Sequence, residues 1–288
     1  MSLVSLKTIL SETRENKYAV GAFDTFDPLN TELLIRAAEK KNVPMIIMVC
    51  DFSFESPTAD WFFSHVIDRA RRATVPICVH LDHGPSFEAV MKAINRGCSS
   101  VMIDGSALPF DENVALTKKV VEVAHACGVS VEAEIGHVAG HEGNTDDGNV
   151  ADETAYTRVE DAVAFYEATK VDALAVAIGT VHGVYKGEPK LDFERLRAIR
   201  DVIPVPLVMH GGSGLSEENF REAVANGISK VNFYTGMSVA GANAAREYLN
   251  ANKIADMGEA VEVGYTAGYK MVEEHLDIFG TQPLKNTK

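Results

Sequence analysis

Short apolar runs rich in β-branched residues alternate along the chain with longer amphipathic segments. Most of the runs are apolar on both faces, which is typical of parallel strands that are covered on both sides. The runs that we predict as strands are residues 18–23, 44–49, 76–81, 99–104, 129–134, 172–178, 205–210 and 230–233.

The amphipathic segments between these runs have the period of helices. We predict helices at residues 28–42, 86–97, 112–128 and 216–227, several of which end in Gly or Asn, residues that commonly stop helices. Strand–helix units repeated in this way predict an α/β fold, a (β/α)₈ TIM barrel. We expect residues 1–288 to form one barrel domain, in which residues 236–288 supply the closing helix and a C-terminal helical extension.

One segment departs from the alternation. Residues 136–157 are polar, rich in glycine and aperiodic. They follow the fifth strand and therefore lie on the face where barrel enzymes build their active sites. A long irregular segment at this place is typical of an active-site lid.

Composition and charge limit the classes of function. The chain has 288 residues, a net charge of −14 and four scattered cysteines. The acidic balance argues against nucleic acid and anionic membranes as partners. It does not exclude an anionic substrate, because a metal ion and backbone amides can make a local positive site. Free cysteines, and the absence of a signal-like start or a long apolar run, lead us to expect a cytoplasmic location.

Three histidines follow predicted strands, at the end where a barrel enzyme keeps its chemistry. His83 follows the third strand, His182 the sixth, and His210 ends the seventh. Imidazole is a common zinc ligand, and three protein ligands leave a coordination position open for substrate. We therefore predict a catalytic Zn²⁺ site. The alternative for any single histidine is a structural, hydrogen-bonded role, which we assign to His65, His80, His125 and His275. We expect His80 to point to the opposite side of its strand from the Asp-His-Gly end.

Carboxylates stand at neighbouring strand ends. Asp82 is next to His83, where it either acts as a general acid and base or orients the imidazole. Asp104 and Glu134 either support the histidines or form a second or alternative metal site.

Covalent catalysis on a carbonyl substrate, the alternative to a metal, needs a lysine that forms a Schiff base. Lys186 lies in a loop, and we place Lys230 at the start of the eighth strand, at the wrong end. The residues therefore favour the metal route.

A glycine-rich turn after the seventh strand predicts an anion site. Glycines let backbone amides approach a phosphate, and we expect the helix that begins near Ser216 to add its dipole. The loops after the seventh and eighth strands are the usual phosphate site of a barrel. The alternative is a turn without a ligand. The candidate residues are Gly211, Gly212, Ser213, Asn232 and Thr235.

Five motifs together resemble a known family: LDHG (81–84), EAEIG (132–136), GTVHGVYKG (179–187), HGGSGL (210–215) and VNFYT (231–235). The sequence is similar over nearly its whole length to the class II, zinc-dependent ketose-bisphosphate aldolases, which include fructose- and tagatose-bisphosphate aldolases. The resemblance implies cleavage of a phosphorylated ketose into dihydroxyacetone phosphate and an aldehyde.

The resemblance also implies roles for individual residues. His83, His182 and His210 would bind zinc, with Asp104 and Glu134 at a second or alternative metal position. Asp82 would take the proton of the carbon-4 hydroxyl, and Glu142 in the lid would protonate and deprotonate carbon 3. The residues that would contact the substrate are Gly183, Lys186, Gly211, Gly212, Ser213, Asn232, Thr235, Ser53 and Asp24. A monovalent cation, Na⁺ or K⁺, and a homodimer or homotetramer are further expectations.

The sequence departs from the family at the aldehyde side. Asp24 and Asp27 stand where the family has an Asn-rich turn, and His137 and His141 stand in the lid. Tyr234 replaces the Asp of fructose-type and the Ala of tagatose-type enzymes. The added acids disfavour a second phosphate by repulsion, and the sequence does not assign the identity of the aldehyde product. A metal-dependent sugar-phosphate isomerase or epimerase, and a non-catalytic sugar-phosphate-binding protein, are the alternative functions.

Overall fold

The computed structural model of the chain describes residues 2–140, 153–183, 185 and 187–285. Its strands are parallel and close into a barrel in sequence order, with the last strand paired to the first. They are β1 (Val20–Asp24), β2 (Met45–Cys50), β3 (Ile77–Gly84), β4 (Ser100–Ile103), β5 (Ser130–Ile135), β6 (Ala173–Val176), β7 (Leu207–Met209) and β8 (Ile228–Asn232). The predicted TIM barrel is confirmed.

Helices surround the barrel. They are α1 (Leu6–Ile9), α2 (Thr13–Asn16), α3 (Pro28–Lys41), α4 (Ala59–Arg72), α5 (Phe87–Asn95), α6 (Phe110–Ala126), α7 (Val159–Thr169), α8 (Phe193–Val202), α9 (Glu217–Asn226), α10 (Thr235–Ala251) and α11 (Met257–Ile278). Along the part of the chain that the structure describes, no helix has the length and apolar character needed to cross a membrane. All four cysteines are free thiols.

The strands separate two apolar clusters because successive side chains point to opposite faces. Side chains such as Ile47 and Val79 face outward and pack under the helices. Side chains such as Val20, Ala22 and Val208 face the barrel interior and pack with α1. Polar groups then occupy the interior toward the carboxyl ends of the strands, which places the candidate site there.

The last two helices pack closely against each other. A Cβ atom added at Gly241 in α10 would lie 2.9 Å from the carbonyl oxygen of Gly264 in α11, so the two backbones meet where only glycine fits. Helix α11 also packs against α3. The division into one barrel domain with a helical extension stays a prediction.

Candidate active site

A bulge at the end of β3 brings two consecutive side chains to the barrel mouth. The pairing of β3 with β4 shifts register between Leu81 and Gly84, and His83 has a φ of 42°. This left-handed conformation is costly for a residue with a Cβ atom and is often found at functional sites. The predicted end of the strand at residue 81 is therefore wrong, because the bulge carries the pairing on to Gly84.

The three predicted histidines meet at this place. One ring nitrogen from each of His83, His182 and His210 lies within 4.8 Å of the others. The Nε2 atom of His83 is 2.8 Å from Nδ1 of His210. The ring centroids of His83 and His182 are 4.9 Å apart. A set of three converging imidazoles fits the donor preference of zinc.

Carboxylates hold the outer nitrogens of two of these rings. Nδ1 of His83 is 2.7 Å from Oδ2 of Asp104. Nε2 of His210 is 2.9 Å from Oε1 of Glu132. A carboxylate on the outer nitrogen fixes the ring and leaves the inner nitrogen to face a metal, which is the usual support of a metal-binding histidine.

The charges around the site favour a cation. Burial lowers the pKa of His83, but the surrounding Asp82, Asp104 and Glu134 outweigh it and raise this pKa to about 10. Burial, with the neighbouring imidazoles, lowers the pKa values of His182 and His210 far below the ordinary value. A cluster of acids that stabilises a proton on one imidazole also stabilises a metal ion among the three.

A second group of candidate ligands adjoins the first. His83, Asp104 and Glu134 also bring one donor atom each within 4.8 Å of one another. Burial and the charge of Asp104 raise the pKa of Glu134 to about 8. Asp104 thus binds His83 and belongs to the second donor group, and both of its predicted roles stay predictions.

Asp82 lies beside the imidazoles and is tied to β8. Its Oδ1 atom accepts a hydrogen bond of 2.9 Å from the side-chain amide of Asn232. The same amide nitrogen is 3.3 Å from Nδ1 of His210. Asp82 is buried. The amide therefore fixes the orientation of a carboxylate next to the predicted metal ligands.

A buried charged network lies one layer below the histidines, and two predictions about it are wrong. Lys230 is the third residue of β8 rather than its first, and its ammonium lies 2.9 Å from Oε2 of Glu132 inside the barrel. His80 points to the same side of β3 as Asp82, because residues two apart in a strand share a face. It binds Ser100 at 2.8 Å and lies 3.7 Å from Glu132. Successive side chains of a strand point to opposite faces, and this alternation in the sequence is the signal that places both residues inside the barrel.

The glycine-rich turn after β7 lies very close to the backbone of the turn after β6. Gly211 has a φ of 70°, and a Cβ atom there would lie 2.4 Å from the carbonyl oxygen of Val181. The hydroxyl of Tyr185 donates to the Gly211 carbonyl at 2.7 Å and accepts from the Val181 amide at 3.1 Å. Gly212 and Gly214 bound a 3₁₀ turn here. The turns after β6 and β7 are thereby fixed to each other.

One hydroxyl group in this turn points to a ligand. Among the described residues, the Oγ atom of Ser213 is buried and has no hydrogen-bond partner. Thr235 begins α10 directly after β8 and is buried. Helix α9 uses Ser216 and Asn219 for its own capping box and carries two glutamates in its first turn. The 3₁₀ turn and the start of α10 are thus the better-placed donors.

Other predicted substrate contacts lie elsewhere or outside the described part. Gly183 has a φ of 78° in the turn after β6. Ser53 is buried in a 3₁₀ turn after β2, and Asp24 is buried at the end of β1. Glu142, His141 and Lys186 lie outside the described residues.

Three aromatic side chains from separate parts of the sequence form one cluster beyond the carboxyl ends of β1, β2 and β8. Phe26 follows β1 and stacks on Phe52, which follows β2, at a centroid distance of 5.5 Å. Phe26 also meets Tyr234, which follows β8, edge to face at 4.9 Å. Their positions in three separate loops concealed this cluster in the sequence.

Asp27 lies in the turn after β1, where two hydrogen bonds hold its carboxylate. It caps α3 by accepting the Asn30 amide at 2.9 Å and accepts a hydrogen bond from the hydroxyl of Tyr265. Both of its oxygens thus accept hydrogen bonds within the fold, and its part in disfavouring a second phosphate stays a prediction.

Known proteins resemble this chain over most of its length. The family profile described as fructose-bisphosphate aldolase class-II matches residues 4–283. A fructose-bisphosphate aldolase of Staphylococcus aureus is 41% identical over 88% of each chain, and one of Geobacillus stearothermophilus is 42% identical over 86% of each. The crystal structure of the YdjI aldolase from Escherichia coli superposes with a TM-score of 0.85 at 33% identity, covering 97% of this chain and 98% of that one. The chain therefore belongs to the class II fructose-bisphosphate aldolase family, whose members are carbon–carbon lyases.

Proposed function

We propose that the protein reversibly cleaves a ketose 1-phosphate or 1,6-bisphosphate into dihydroxyacetone phosphate and an aldehyde, with Zn²⁺ held by His83, His182 and His210. The convergence of three imidazole nitrogens within 4.8 Å carries this proposal. The family is generally zinc-dependent, which agrees with the donor set. When bound, zinc stabilises the negative charge that develops on substrate oxygens as the carbon–carbon bond breaks.

Asp82 is the proposed general base for cleavage. It takes the proton of the carbon-4 hydroxyl and returns it during condensation. Its hydrogen bond from Asn232 holds one carboxylate oxygen, so the second oxygen can be directed at the hydroxyl. A correctly positioned acid or base of this kind accelerates a reaction by about 10²- to 10⁴-fold.

Glu142 is the proposed acid and base at carbon 3. It lies outside the described residues, and its place in the sequence after β5, a strand whose carboxyl end lies on the active-site face of a barrel, supports this role. Proton transfer at carbon 3 is needed when the triose half leaves or enters. A separate carboxylate for each carbon lets the two proton transfers occur on different sides of the substrate.

The phosphate is proposed to bind at the turns after β6, β7 and β8. The buried hydroxyl of Ser213 and the narrow backbone turn at Gly211 support this position. Gly183, Gly212, Asn232, Thr235 and Lys186 complete the proposed contacts. Asp24 and Ser53 are assigned to the aldehyde half, and a monovalent cation, Na⁺ or K⁺, is a further proposed cofactor.

The test separates the two proton transfers. Zinc-loaded enzyme is incubated with dihydroxyacetone phosphate alone in deuterated water, and loss of the carbon-3 hydrogen signal is followed by NMR. We expect Glu142→Ala to suppress this exchange and Asp82→Ala to retain it, because no carbon-4 hydroxyl is present. Equal exchange in wild type and Glu142→Ala would overturn the role of Glu142.

A coupled assay for dihydroxyacetone phosphate across ketose mono- and bisphosphates tests the reaction itself. An aldolase releases the triose phosphate from at least one of them. An isomerase or epimerase would convert the sugar phosphate without releasing a triose. A non-catalytic sugar-phosphate-binding protein would bind the sugar phosphate and leave it unchanged.

The helices α10 and α11 are the proposed subunit interface of a homodimer or homotetramer. Their connection and edges expose large apolar side chains, including Ile254, Met257 and Leu249. An apolar cavity of about 540 Å³ lies between α3, α10 and α11. Contiguous apolar surface of this kind is typical of protein interfaces. Light scattering at several concentrations would give the subunit number.

The free thiols support the proposed cytoplasmic location, which cell fractionation tests.

A further inference from the structure

One tyrosine hydroxyl joins the backbone beside two of the proposed zinc ligands. The hydroxyl of Tyr185 accepts a hydrogen bond of 3.1 Å from the amide of Val181, which directly precedes His182. It donates a hydrogen bond of 2.7 Å to the carbonyl oxygen of Gly211, which directly follows His210. The hydroxyl therefore links the turn after β6 to the turn after β7 at the positions next to the two imidazoles.

The ring of Tyr185 lies against the proposed phosphate turn. A Cβ atom added at Gly214 would overlap ring carbons of Tyr185, so the ring packs directly on the backbone of this 3₁₀ turn. The buried Oγ atom of Ser213, which has no hydrogen-bond partner among the described residues, belongs to the same turn. One side chain thus contacts the phosphate turn with its ring and the backbone beside two zinc ligands with its hydroxyl.

The two turns also touch through their backbones. A Cβ atom added at Gly211 would overlap the carbonyl group of Val181. Van der Waals contact of this kind leaves two segments free to slide past each other, whereas hydrogen bonds prefer a narrow range of distances and angles. The two hydrogen bonds of the Tyr185 hydroxyl therefore fix the position of one turn relative to the other.

We propose that Tyr185 is a positioning residue that couples zinc binding to phosphate binding, so that each ligand raises the affinity of the site for the other. This inference rests on the proposed function, because it connects the zinc and phosphate sites assigned there. A phosphate that binds at Ser213 orders its turn, and Tyr185 extends this restraint to the backbone beside His182 and His210. The second ligand then loses less conformational entropy when it binds.

The test uses a phosphate that lacks the reacting groups of the substrate. Propyl phosphate has the three-carbon chain of dihydroxyacetone phosphate without its ketone and hydroxyl groups, so it offers the metal neither of those oxygens. The Kd for Zn²⁺ is measured by competition with a chromophoric chelator. The coupling ratio is this Kd without propyl phosphate divided by the Kd with it.

We expect a coupling ratio of roughly fivefold or more in the wild-type protein. Because coupling between two binding sites is reciprocal, zinc should tighten the binding of propyl phosphate by the same factor, which calorimetry measures.

Tyr185→Phe removes the hydroxyl and keeps the ring on Gly214. We expect it to weaken zinc binding about tenfold, as is usual for a group that supports metal ligands, and to bring the coupling ratio close to one. A tyrosine that only stabilised the fold would lower the urea midpoint and leave the coupling ratio unchanged. Gly214→Ala acts on the same contact from the other side, because the added methyl group displaces the ring, and it should also reduce the ratio.

Tyr156→Phe is the matched control. It removes a hydroxyl that donates to the carbonyl oxygen of Lys190 at 3.5 Å, in the same connection between β6 and α8. This bond lies beside neither His182 nor His210 in the sequence, so zinc affinity and the coupling ratio should stay close to those of wild type.

Binding to the wild-type protein separates this role of Tyr185 from the proposed function. A wild-type protein that binds no zinc, or no propyl phosphate, would contradict the proposed function. If the two ligands bind wild type independently, or if Tyr185→Phe keeps the wild-type coupling ratio, the role of Tyr185 is overturned and the proposed function stands. Should Tyr185→Phe fail to fold, the coupling ratio of Gly214→Ala decides in the same way.

Discussion

Replacing Lys230 by Met should destabilise the protein because it leaves a buried carboxylate without its cation. The side chains of Lys230 and Glu132 have no solvent exposure, and Nζ lies 2.9 Å from Oε2. Glu132 also binds Nε2 of His210. Removing one partner of a buried ion pair costs about 3–5 kcal/mol, and we expect Lys230→Met to lose a free energy of unfolding in that range.

Urea unfolding at pH 7 in the presence of a chelator measures this loss without a contribution from bound metal. The double variant Lys230→Met/Glu132→Gln removes both charges, and its amide oxygen can still accept from His210. It should therefore regain most of the stability that the single variant loses. Lys92→Met is the matched control: its partner Glu55 is 76% exposed, so the urea midpoint should stay near that of wild type.

The result that would refute this reasoning is a Lys230→Met variant within about 1 kcal/mol of wild type, which is the range of an exposed pair. A double variant less stable than Lys230→Met would also refute it. In that case the carboxylate of Glu132 would contribute through its hydrogen bonds rather than through its charge.

Three further predictions concern other parts of the chain. Asp82→Ala should keep zinc, measured by elemental analysis, and lower kcat by about 10²- to 10⁴-fold; loss of zinc in step with activity would make Asp82 an orienting residue. Gly211→Ala should impair binding of dihydroxyacetone phosphate, measured by calorimetry, whereas Gly128→Ala at a similar φ in open space should cost only about 1 kcal/mol and leave binding unchanged. The hydrogen bond from Arg69 holds the pKa of Glu39 below its ordinary 4.5. The pair therefore stabilises the folded protein above pH 4.5, and this stabilisation is lost as the pH falls through the lowered pKa of Glu39. The urea midpoint of Glu39→Gln should therefore lie below that of wild type at pH 7, and the two should converge in acid; a constant difference would contradict this.

The barrel and its three histidines were predictable from local pattern. Apolar runs mark parallel strands buried on both faces, and the carboxyl ends of such strands meet at one mouth. His83, His182 and His210 therefore needed only the order of the strands to be placed together. The position of Asp82 beside His83 followed from the same order.

Features that depend on pairing between distant strands were not predictable. The register shift between β3 and β4 arises only when the barrel closes, and it turns His83 toward the mouth beside Asp82. Lys230 and Glu132 are far apart in the sequence and read separately as unremarkable charged residues. Their strand alternation gives the direction of each side chain, but the pairing across the interior comes from the closed barrel.

The different surroundings of Asp24 and Asp27 also depend on where the elements of the fold begin and end. Asp24 and Asp27 look alike in the sequence, yet one ends a strand and the other begins a helix. The N-cap position of α3 gives one oxygen of Asp27 a local partner, the Asn30 amide, and the other oxygen accepts from Tyr265 in α11. Asp24 is left facing the barrel interior.

A crystal structure of the zinc-loaded protein with dihydroxyacetone phosphate, with anomalous data at the zinc edge, tests the central claim most directly. We expect one strong anomalous peak bound by ring nitrogens of His83, His182 and His210, with the triose phosphate beside it and its phosphate at the turn of Gly211 and Ser213. A peak elsewhere, with these three imidazoles bound to no metal, would contradict it.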